Sequence, residues 1–555
     1  MSGNKQESIL GWWNAQGSNV DSTPEFLAQA LRNTSASYVI VRHHDQFVPV
    51  AGGDARLGDQ KPENGALPII GFLPAVPMHN LGDPGFCRDH GVRYPYFGGS
   101  MARGISSIAM VQALGRAGML GSFGAAGLPL SVVEAAIDEL QAEPNLPICF
   151  NLIHSPNEPQ HEEAIIDLYL RKGVRLIEAS AFIGLTLPLV RFRVHGIHRD
   201  GDGNIVTPNR VIAKVSRTEV ATRFLSPPPE ALLEKLVESG EITREQATLA
   251  GQVPMADDVT GEADSGGHTD NRPLVTLLPT LQALRDQLQK TYNYAQVPRI
   301  GAAGGISTPA SAAAAFAMGA AYVVTGSVNQ ACIEAGTCPE VRKMLAEAQQ
   351  ADVGMAPSAD MFEIGAKVQV LKRGTMFAMR AHKLYEIYQK YDKLEDIPAS
   401  ERLDLEKKLF RAGLDDIWRQ TADYFQQRLP QVLVKAEKDA KYKMALIFRW
   451  YLGNAAAWAK VGEPTRKLDY QVWCGQAMGA FNEYAKGTFL DLLENRDVVT
   501  VAYNILFGAS YILRLNALRN QGIDPKSDLT MVSPSPLPQL MDMIRDQEEY
   551  RNDRS

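Results

Sequence analysis

Residues 297–330 read VPRIGAAGGISTPASAAAAFAMGAAYVVTGSVNQ, and this stretch predicts two strand–turn–helix units in succession. The first strand runs into Gly304 and Gly305, where the missing side chains let backbone N–H groups approach an anion closely. The second strand, Ala321–Thr325, reaches another glycine turn at Gly326. Glycine turns at the C-terminal ends of two consecutive parallel strands are typical of the phosphate site after strands 7 and 8 of a (β/α)8 barrel. The alternative is that these glycines only form tight turns in another α/β domain.

Apolar strands, glycine-rich turns and helices alternate from Tyr94 onward, with a spacing that suits βα units. The predicted strands are Tyr96–Met101, Met119–Phe123, Pro147–Leu152, Val174–Ala179, Arg210–Ser216, Asp258–Ala263, Arg299–Ala303 and Ala321–Thr325. Eight is the number of strands that closes a barrel. We therefore predict an α/β fold: a (β/α)8 TIM barrel with an insertion at its C-terminal face, a small N-terminal lobe and a helical C-terminal domain.

The chain is long enough for more than one domain. Its 555 residues are 45% hydrophobic and 21% charged, a globular composition that supports two or three cores. We predict a lobe at 1–93, the barrel at 94–334 and the helical domain at 335–555. The insertion at 225–254 reads as an amphipathic helical hairpin, which either shapes the mouth of the barrel or is a passive surface element.

The segment after the barrel reads mostly as helix. The candidate helices are Met361–Val370, Ala378–Tyr391, Ala399–Leu405, Leu414–Arg428, Ala436–Leu452 and Asp497–Asn520. We expect them to form a cap or substrate domain.

Charge and cysteine content exclude several classes of partner. A net charge of −7 argues against nucleic acid as the main partner, because there is no basic excess to displace counterions. Five scattered cysteines without a CxxC pair make a disulfide framework or zinc site improbable and favour the cytoplasm. We find no leader-like N-terminus and no stretch of about 18 apolar residues, so we expect no membrane association. We consider a homodimer as the assembly.

One segment resembles a calcium-binding loop but departs from its pattern. Residues 199–204 read RDGDGN, yet Ile205 stands where the loop requires glycine and Val211 stands where it requires glutamate. We therefore predict a simple turn there and no metal site in the chain.

Three polar side chains are predicted at or near the C-terminal ends of the strands, where barrel active sites form. Asn151 and Lys214 could hydrogen-bond the polar edge of a flavin ring, and the lysine would stabilise the anionic reduced ring. His268 follows two glycines and could act as a proton donor or electrophile at the reacting face. Taken singly, each residue fits an ordinary structural role, so the prediction rests on their joint placement.

Several motifs carry a resemblance to a known family. MARG at 101–104, FN at 150–151, EADSGGH at 262–268, AAGG at 302–305 and GS at 326–327 resemble the nitronate monooxygenase superfamily, which includes the FabK-type FMN-dependent enoyl reductases. The longer stretches GDPGFCRDHGVRYPYFGGSMARGIS, FEIGAKVQVLKRGTMFAMRAHKLYEIY and DYQVWCGQAMGAFN resemble its PfaD-type branch, the trans-acting enoyl reductases of polyunsaturated fatty acid and polyketide synthases. The superfamily motif EAGGH is replaced here by EADSGGH, which weakens a nitronate assignment.

The resemblance implies FMN as cofactor, NADPH as reductant, acyl carrier protein domains as partners and His268 as the catalytic residue. It places FMN against Met101, Ala102, Asn151, Lys214, Gly267, Ala303, Gly304, Gly305, Gly326 and Ser327. No GxGxxG motif occurs, so we expect no Rossmann domain and a ping-pong cycle at one shared site. A nitronate monooxygenase-like flavin oxidase is the alternative, and a non-enzymatic docking component is a more distant third.

A basic cluster after the barrel is the predicted docking surface for an acidic carrier protein. It consists of Lys367, Lys372, Arg373, Arg380 and Lys383. Apolar residues in the same stretch would line an acyl tunnel: Val368, Val370, Leu371, Met376 and Phe377. The alternative is a solvated helix face whose cations pair with Glu363 and Glu386.

Overall fold

The computed structural model describes residues 9–16, 20, 23–44, 46–62, 65–156, 158–525, 529 and 532–552. The chain forms two compact units. One unit consists of Met1–Pro95, Thr308–Tyr322 and Tyr484–Ser555, and the other consists of Tyr96–Ser307 and Val323–Glu483. This division differs from the three consecutive domains predicted at 1–93, 94–334 and 335–555, because the N-terminal residues share a core with the last long helix of the chain.

The second unit contains the predicted barrel. Its strands are β1 (Tyr96–Gly98), β2 (Leu120–Phe123), β3 (Ile148–Ile153), β4 (Leu176–Ser180), β5 (Arg210–Val215), β6 (Asp258–Glu262), β7 (Arg299–Ala303) and β8 (Val323–Thr325). They pair in parallel in sequence order, and β8 pairs with β1 to close the barrel. The predicted (β/α)8 architecture is confirmed, although β1 and β8 are shorter than expected.

Helices follow the barrel strands in the same unit. They are Ile108–Arg116, Leu130–Gln141, Pro159–Arg171, Leu187–Val194, Thr218–Leu225, Leu274–Tyr292 and Ser327–Gln330. Two of these helices begin with a capping side chain: the Ser107 hydroxyl accepts a hydrogen bond from the backbone N–H of Met110, and the Thr186 hydroxyl accepts one from the backbone N–H of Leu189. Such local signals help to make the alternation of strand and helix predictable from the sequence.

Two short segments between barrel strands have the predicted form. The insertion folds as two helices, Glu230–Glu238 and Arg244–Ala250, and Thr243 and Gln246 form a capping box at the start of the second. The calcium-like segment is the turn of a hairpin between His198–Arg199 and Ile205–Val206.

A three-stranded antiparallel sheet belongs to the same unit as the barrel. It joins Gly267–His268, Lys367–Leu371 and Val353–Pro357, with the second of these in the centre. We call it the small sheet. The helix predicted at Met361–Val370 is therefore wrong: Gly365 adopts a left-handed φ of +72°, which ends any helix there, and the residues after it pair as a strand.

The rest of this unit is mostly helical, as predicted, although the helix predicted at Ala436–Leu452 is interrupted at Asp439, whose backbone is extended. Its helices are Pro339–Ala346, Phe377–Lys390, Ala399–Asp404, Leu414–Arg428, Pro430–Lys438, Ala440–Val461 and Ala477–Ala485, and a π-helical turn spans Leu405–Phe410. Phe377, Phe410, Phe448 and Tyr451 are fully buried in one core together with Val368 of the small sheet. Burial of this apolar surface stabilises the helical region.

The other unit is built on a five-stranded antiparallel sheet. The strand order is Gln46–Val50, Tyr38–His43, Leu67–Leu73, Gly11–Asn14 and Asp54–Leu57. Its helices are Pro24–Arg32, Pro84–His90, Pro309–Ala317, Val498–Asn520 and Leu537–Asn552. Ile40 and Leu73 of the sheet share a core with Leu515 and Leu518 of the long helix.

One helix of this unit, Val498–Asn520, is long and apolar enough to cross a membrane. The expectation that no such stretch exists is therefore wrong. In the structure 83% of its most apolar window is buried inside the protein, as in the core helix of a globular unit. Buried Arg514 on this helix donates to the backbone carbonyls of Ala36 and Ala30, and burial lowers the pKa of its guanidinium to about 10.

Candidate active site

Polar residues of three neighbouring strands meet inside the barrel near its C-terminal end. The Lys214 Nζ on β5 lies 3.2 Å from Glu262 Oε1 on β6 and 3.9 Å from Glu178 Oε1 on β4. Burial lowers the pKa of Lys214, but the Glu262 and Glu178 carboxylates outweigh burial, so the pKa lies above its usual value. Lys214 is therefore held as a cation at the position where barrel enzymes carry out chemistry.

Glu178 is the residue at this site that the sequence analysis missed. It is 1% exposed, and its Oε2 accepts a hydrogen bond of 2.9 Å from the Ser100 backbone N–H in the loop after β1. Within the described part of the chain, no group donates a hydrogen bond to Oε1. The sequence feature that could have identified Glu178 is an acidic residue in the middle of the apolar run Leu176–Ser180. Burial of a carboxylate in a strand is costly, so such a residue indicates a paired or functional group.

Asn151 on β3 lies beside Glu178 in the strand register. Its side-chain amide nitrogen donates to the backbone oxygen of Glu178 and to Ser180 Oγ, both at 3.1 Å. Both amide hydrogens are thereby used, so Oδ1 is the atom with which Asn151 would accept a hydrogen bond from a ligand.

The two glycine turns have the geometry of a phosphate cradle. Gly304 has a φ of +83°, and a Cβ there would lie 2.6 Å from the Ala263 carbonyl carbon, so only glycine fits after Ala303. A Cβ on Gly305 or on Gly326 would meet no atom within 4 Å. Both turns therefore border open space, and bare backbone at the end of β7 and β8 suits an anionic group such as a phosphate.

A loop from the helical region completes these turns. The backbone N–H of Gly475 donates to Ser327 Oγ at 3.0 Å. A Cβ on Gly266 would lie 2.9 Å from the backbone atoms of Cys474 and Gly475, so the two loops pack backbone against backbone. The motif DYQVWCGQAMGAFN at 469–482 thus contacts the barrel at the predicted cofactor turns, which the sequence analysis did not anticipate.

The segment after β6 is held by the small sheet. Gln369 is buried, and its Nε2 donates to Asp264 Oδ1 at 3.0 Å and to the Ser265 carbonyl at 2.8 Å. Gly267 pairs with Gln369 across the sheet. The Asp and Ser that distinguish EADSGGH from EAGGH therefore supply the acceptors that anchor this segment.

His268 lies on the small sheet rather than on a barrel strand. Its Nε2 is 3.1 Å from Asp360 Oδ1, and the imidazole is 41% exposed. Burial lowers the pKa of His268, but the hydrogen bond and charge of Asp360 raise it by more, so the net pKa is raised. For Asp360, burial raises the pKa, but the bond to His268 outweighs this and the pKa is lowered. The pair therefore favours imidazolium beside carboxylate.

The loop after β1 contains the predicted contacts Met101 and Ala102. The Met101 N–H donates to Ser106 Oγ at 3.1 Å, and Ser106 Oγ donates to the Gly99 carbonyl at 2.9 Å. Arg103 adopts a left-handed φ of +59°, and its backbone carbonyl accepts a hydrogen bond from Lys460. Hydrogen bonds thus hold the loop at Met101 and at Arg103. A rigid backbone of this kind is suited to pack against the flat ring of a flavin.

The predicted basic cluster is divided by the structure. Arg380 forms an ion pair with the fully buried carboxylate of Asp469. Its charge is therefore used inside the protein and does not serve docking. Arg373 is 46% exposed and lies 3.7 Å from Asp352. Glu363, the predicted partner of the cluster, instead binds Arg449 at 3.0 Å.

The residues predicted to line an acyl tunnel are mostly packed in the interior. Val368, Val370, Leu371 and Phe377 are at most 1% exposed, and Met376 is 36% exposed.

As for metal binding, the described residues contain no group of three or more His, Cys, Asp or Glu side chains placed to hold an ion.

Comparison with known proteins identifies the family. The sequence model of the nitronate monooxygenase family matches residues 87–373, which is more than half of the chain. The inserted helical domain of [acyl-carrier-protein] S-malonyltransferase matches residues 391–470.

Two curated relatives are similar over most of this chain. A polyunsaturated fatty acid synthase subunit of Thraustochytrium sp. is 51% identical over 460 residues, covering 81% of this chain and 30% of the relative. Polyketide biosynthesis protein PksE of Bacillus subtilis is 44% identical over 441 residues, covering 79% of this chain and 57% of the relative. The chain thus spans less than two thirds of the length of these relatives.

A solved structure matches over its whole length. The enoyl reductase domain of MlnA, from the macrolactin biosynthesis cluster of Bacillus amyloliquefaciens, is 41% identical with a TM-score of 0.77, and the match covers 80% of this chain and 100% of that domain. Together with the barrel and its glycine turns, these matches show that the chain belongs to the nitronate monooxygenase family and, within it, to the PfaD-type enoyl reductase branch.

Proposed function

We propose that the chain is an FMN-dependent, trans-acting enoyl reductase. Its substrates are enoyl thioesters on acyl carrier protein domains of a polyketide or polyunsaturated fatty acid synthase, and NADPH is the reductant in a ping-pong cycle. The observation that carries the proposal is the open glycine cradle after β7 and β8 in the same barrel as the buried cation Lys214. The similarity to the enoyl reductase domain of MlnA selects this reaction among those that a flavin barrel supports.

The residues at the barrel mouth fit FMN. The open turns at Gly305 and Gly326 would take its phosphate, and Ser327 would add a hydroxyl. Asn151 Oδ1 would accept from a ring N–H, and Lys214 would lie at the polar edge of the ring. When bound, FMN would accept hydride from NADPH and deliver it to C3 of the enoyl thioester.

The role of this chain's residues is to hold charge and to supply a proton. Lys214 is kept protonated by its two carboxylate neighbours, and it favours negative charge on the bound ring. His268 is bound to Asp360 through Nε2, so Nδ1 is the ring nitrogen that would interact with a substrate. In the imidazolium form, which Asp360 favours, Nδ1 carries the proton that would be given to C2 of the substrate.

A nitronate monooxygenase-like flavin oxidase is the second candidate, and the match to the nitronate monooxygenase family favours it. In that reaction oxygen, not an enoyl thioester, would take the electrons. A docking component without catalysis would bind no flavin at all.

A stopped-flow experiment tests the proposal. The purified protein is reduced anaerobically with NADPH and mixed with crotonyl pantetheine or with air-saturated buffer, and the flavin absorbance is followed. We expect reoxidation by the enoyl thioester to be much faster than by air. Faster reoxidation by air, with no response to the thioester, would assign the oxidase function, and absence of flavin would assign the docking role.

A further inference from the structure

The charges around Lys214 are unbalanced. Two carboxylates, Glu178 and Glu262, lie within 4 Å of one ammonium group, so the cluster carries a net charge of −1 when all three are ionised. Such a cluster inside a barrel acts strongly on its surroundings, because charges interact more strongly where water is excluded.

All three side chains point into the barrel. Glu178 pairs in register with Ile212, Lys214 lies two residues further along β5, and Lys214 pairs with Thr260, two residues before Glu262. Alternate residues of a strand share a face, so the three charged side chains lie on the same face of the sheet, toward the C-terminal ends of the strands.

Glu178 does more than anchor a loop. The anchoring bond to the Ser100 N–H uses Oε2, and the second oxygen, Oε1, receives no hydrogen bond within the described residues although the side chain is 1% exposed. A neutral glutamine could accept the same bond from Ser100. The loop therefore does not explain why the barrel retains a charge whose burial is costly.

We propose that Glu178 is a positioning residue that sets the reduction potential of the bound flavin, because it shares the charge of Lys214 with Glu262. This inference rests on the proposed function. Without Glu178, the positive charge of Lys214 would be less compensated and would stabilise the anionic reduced ring more strongly. The carboxylate thus keeps the flavin a stronger reductant, which favours hydride delivery to the enoyl group.

The test compares Glu178→Gln with wild type by anaerobic dithionite titration against a reference dye. Glu143→Gln is the control, since Glu143 forms an exposed surface pair with Arg116. We expect Glu178→Gln to retain FMN and to shift its midpoint potential to a more positive value. Glu262→Gln should shift it in the same direction, and Glu143→Gln should leave it unchanged.

Each outcome decides between the explanations. An unchanged potential in a flavin-loaded Glu178→Gln variant would overturn the inference and leave the proposed function intact. If that variant does not hold flavin, an unchanged potential in Glu262→Gln overturns it, and loss of flavin from both shows that the carboxylates serve binding instead. A wild-type protein without flavin would refute the proposed function itself.

Discussion

Replacing Gly305 by Asp should strongly weaken FMN binding with little effect on the fold. A Cβ at this position meets no atom within 4 Å, so the side chain enters the space that we assign to the phosphate. Gly305→Asn is the matched control, because Asn has the same shape without the charge and is among the residues that tolerate a positive φ. The φ of +76° should cost both variants about 1 kcal/mol of folding stability.

The difference between the two variants measures the effect of placing a carboxylate instead of a neutral amide beside the phosphate. Two like charges about 4 Å apart repel by about 4 kcal/mol at an effective dielectric constant of about 20. Since about 1.4 kcal/mol is a factor of ten in affinity, Asp should bind FMN about 10³-fold more weakly than Asn.

Titration of the apoproteins with FMN, followed by flavin fluorescence, gives both dissociation constants. Thermal unfolding in the absence of FMN checks that the two variants are equally folded. Equal FMN affinity of the Asp and Asn variants would show that no phosphate lies at this turn and would refute the assignment of the cradle.

Four further predictions concern residues outside the cradle. His268→Ala should keep the flavin but slow enoyl reduction by roughly 10²- to 10⁴-fold, measured in separate half-reactions; a defect confined to reduction by NADPH would exclude the proton-donor role. Asp360→Asn should lower the pKa of His268, so the loss of activity with rising pH should begin at a lower pH in a profile of kcat/KM against pH. An unchanged profile would show that protonation of His268 does not control the rate. Arg380→Glu should lower the free energy of unfolding by roughly 3 kcal/mol, because it breaks the ion pair with buried Asp469, and denaturant unfolding measures this change. Arg373 is exposed, so Arg373→Glu should raise KM only for the carrier-bound enoyl substrate and not for a pantetheine substrate. An equal loss on both substrates would exclude docking at Arg373.

Much of the barrel could be predicted because each strand carries its own signal. Runs such as Ile148–Ile153 are apolar, and glycines or capping residues follow them at the point where a turn begins. The order of eight such units leaves few alternatives to a closed barrel. The glycine turns could also be predicted from local sequence, because Gly304 occupies a backbone position that no other residue can fill.

The parts that were missed depend on contacts between distant segments. Lys367–Leu371 pairs with Gly267–His268 and Val353–Pro357, and the predicted helix ran into it although Val368 and Val370 alternate with polar residues as in a strand. Arg380 looked like a surface cation because its partner, Asp469, is 89 residues away. Glu178 is marked in the sequence as an acidic residue within an apolar run, but its pairing with Lys214 depends on the placement of β4 beside β5.

The central claim is that the protein reduces the double bond of a carrier-bound enoyl thioester. Mass spectrometry of a crotonyl-loaded acyl carrier protein, incubated anaerobically with the protein and NADPH, tests it most directly. We predict that the acyl group gains two hydrogens, and that His268→Ala slows this gain while its FMN content stays that of wild type. An unchanged crotonyl group in the presence of flavin-loaded protein, together with oxidation of an alkyl nitronate by the same preparation in air, would contradict the claim.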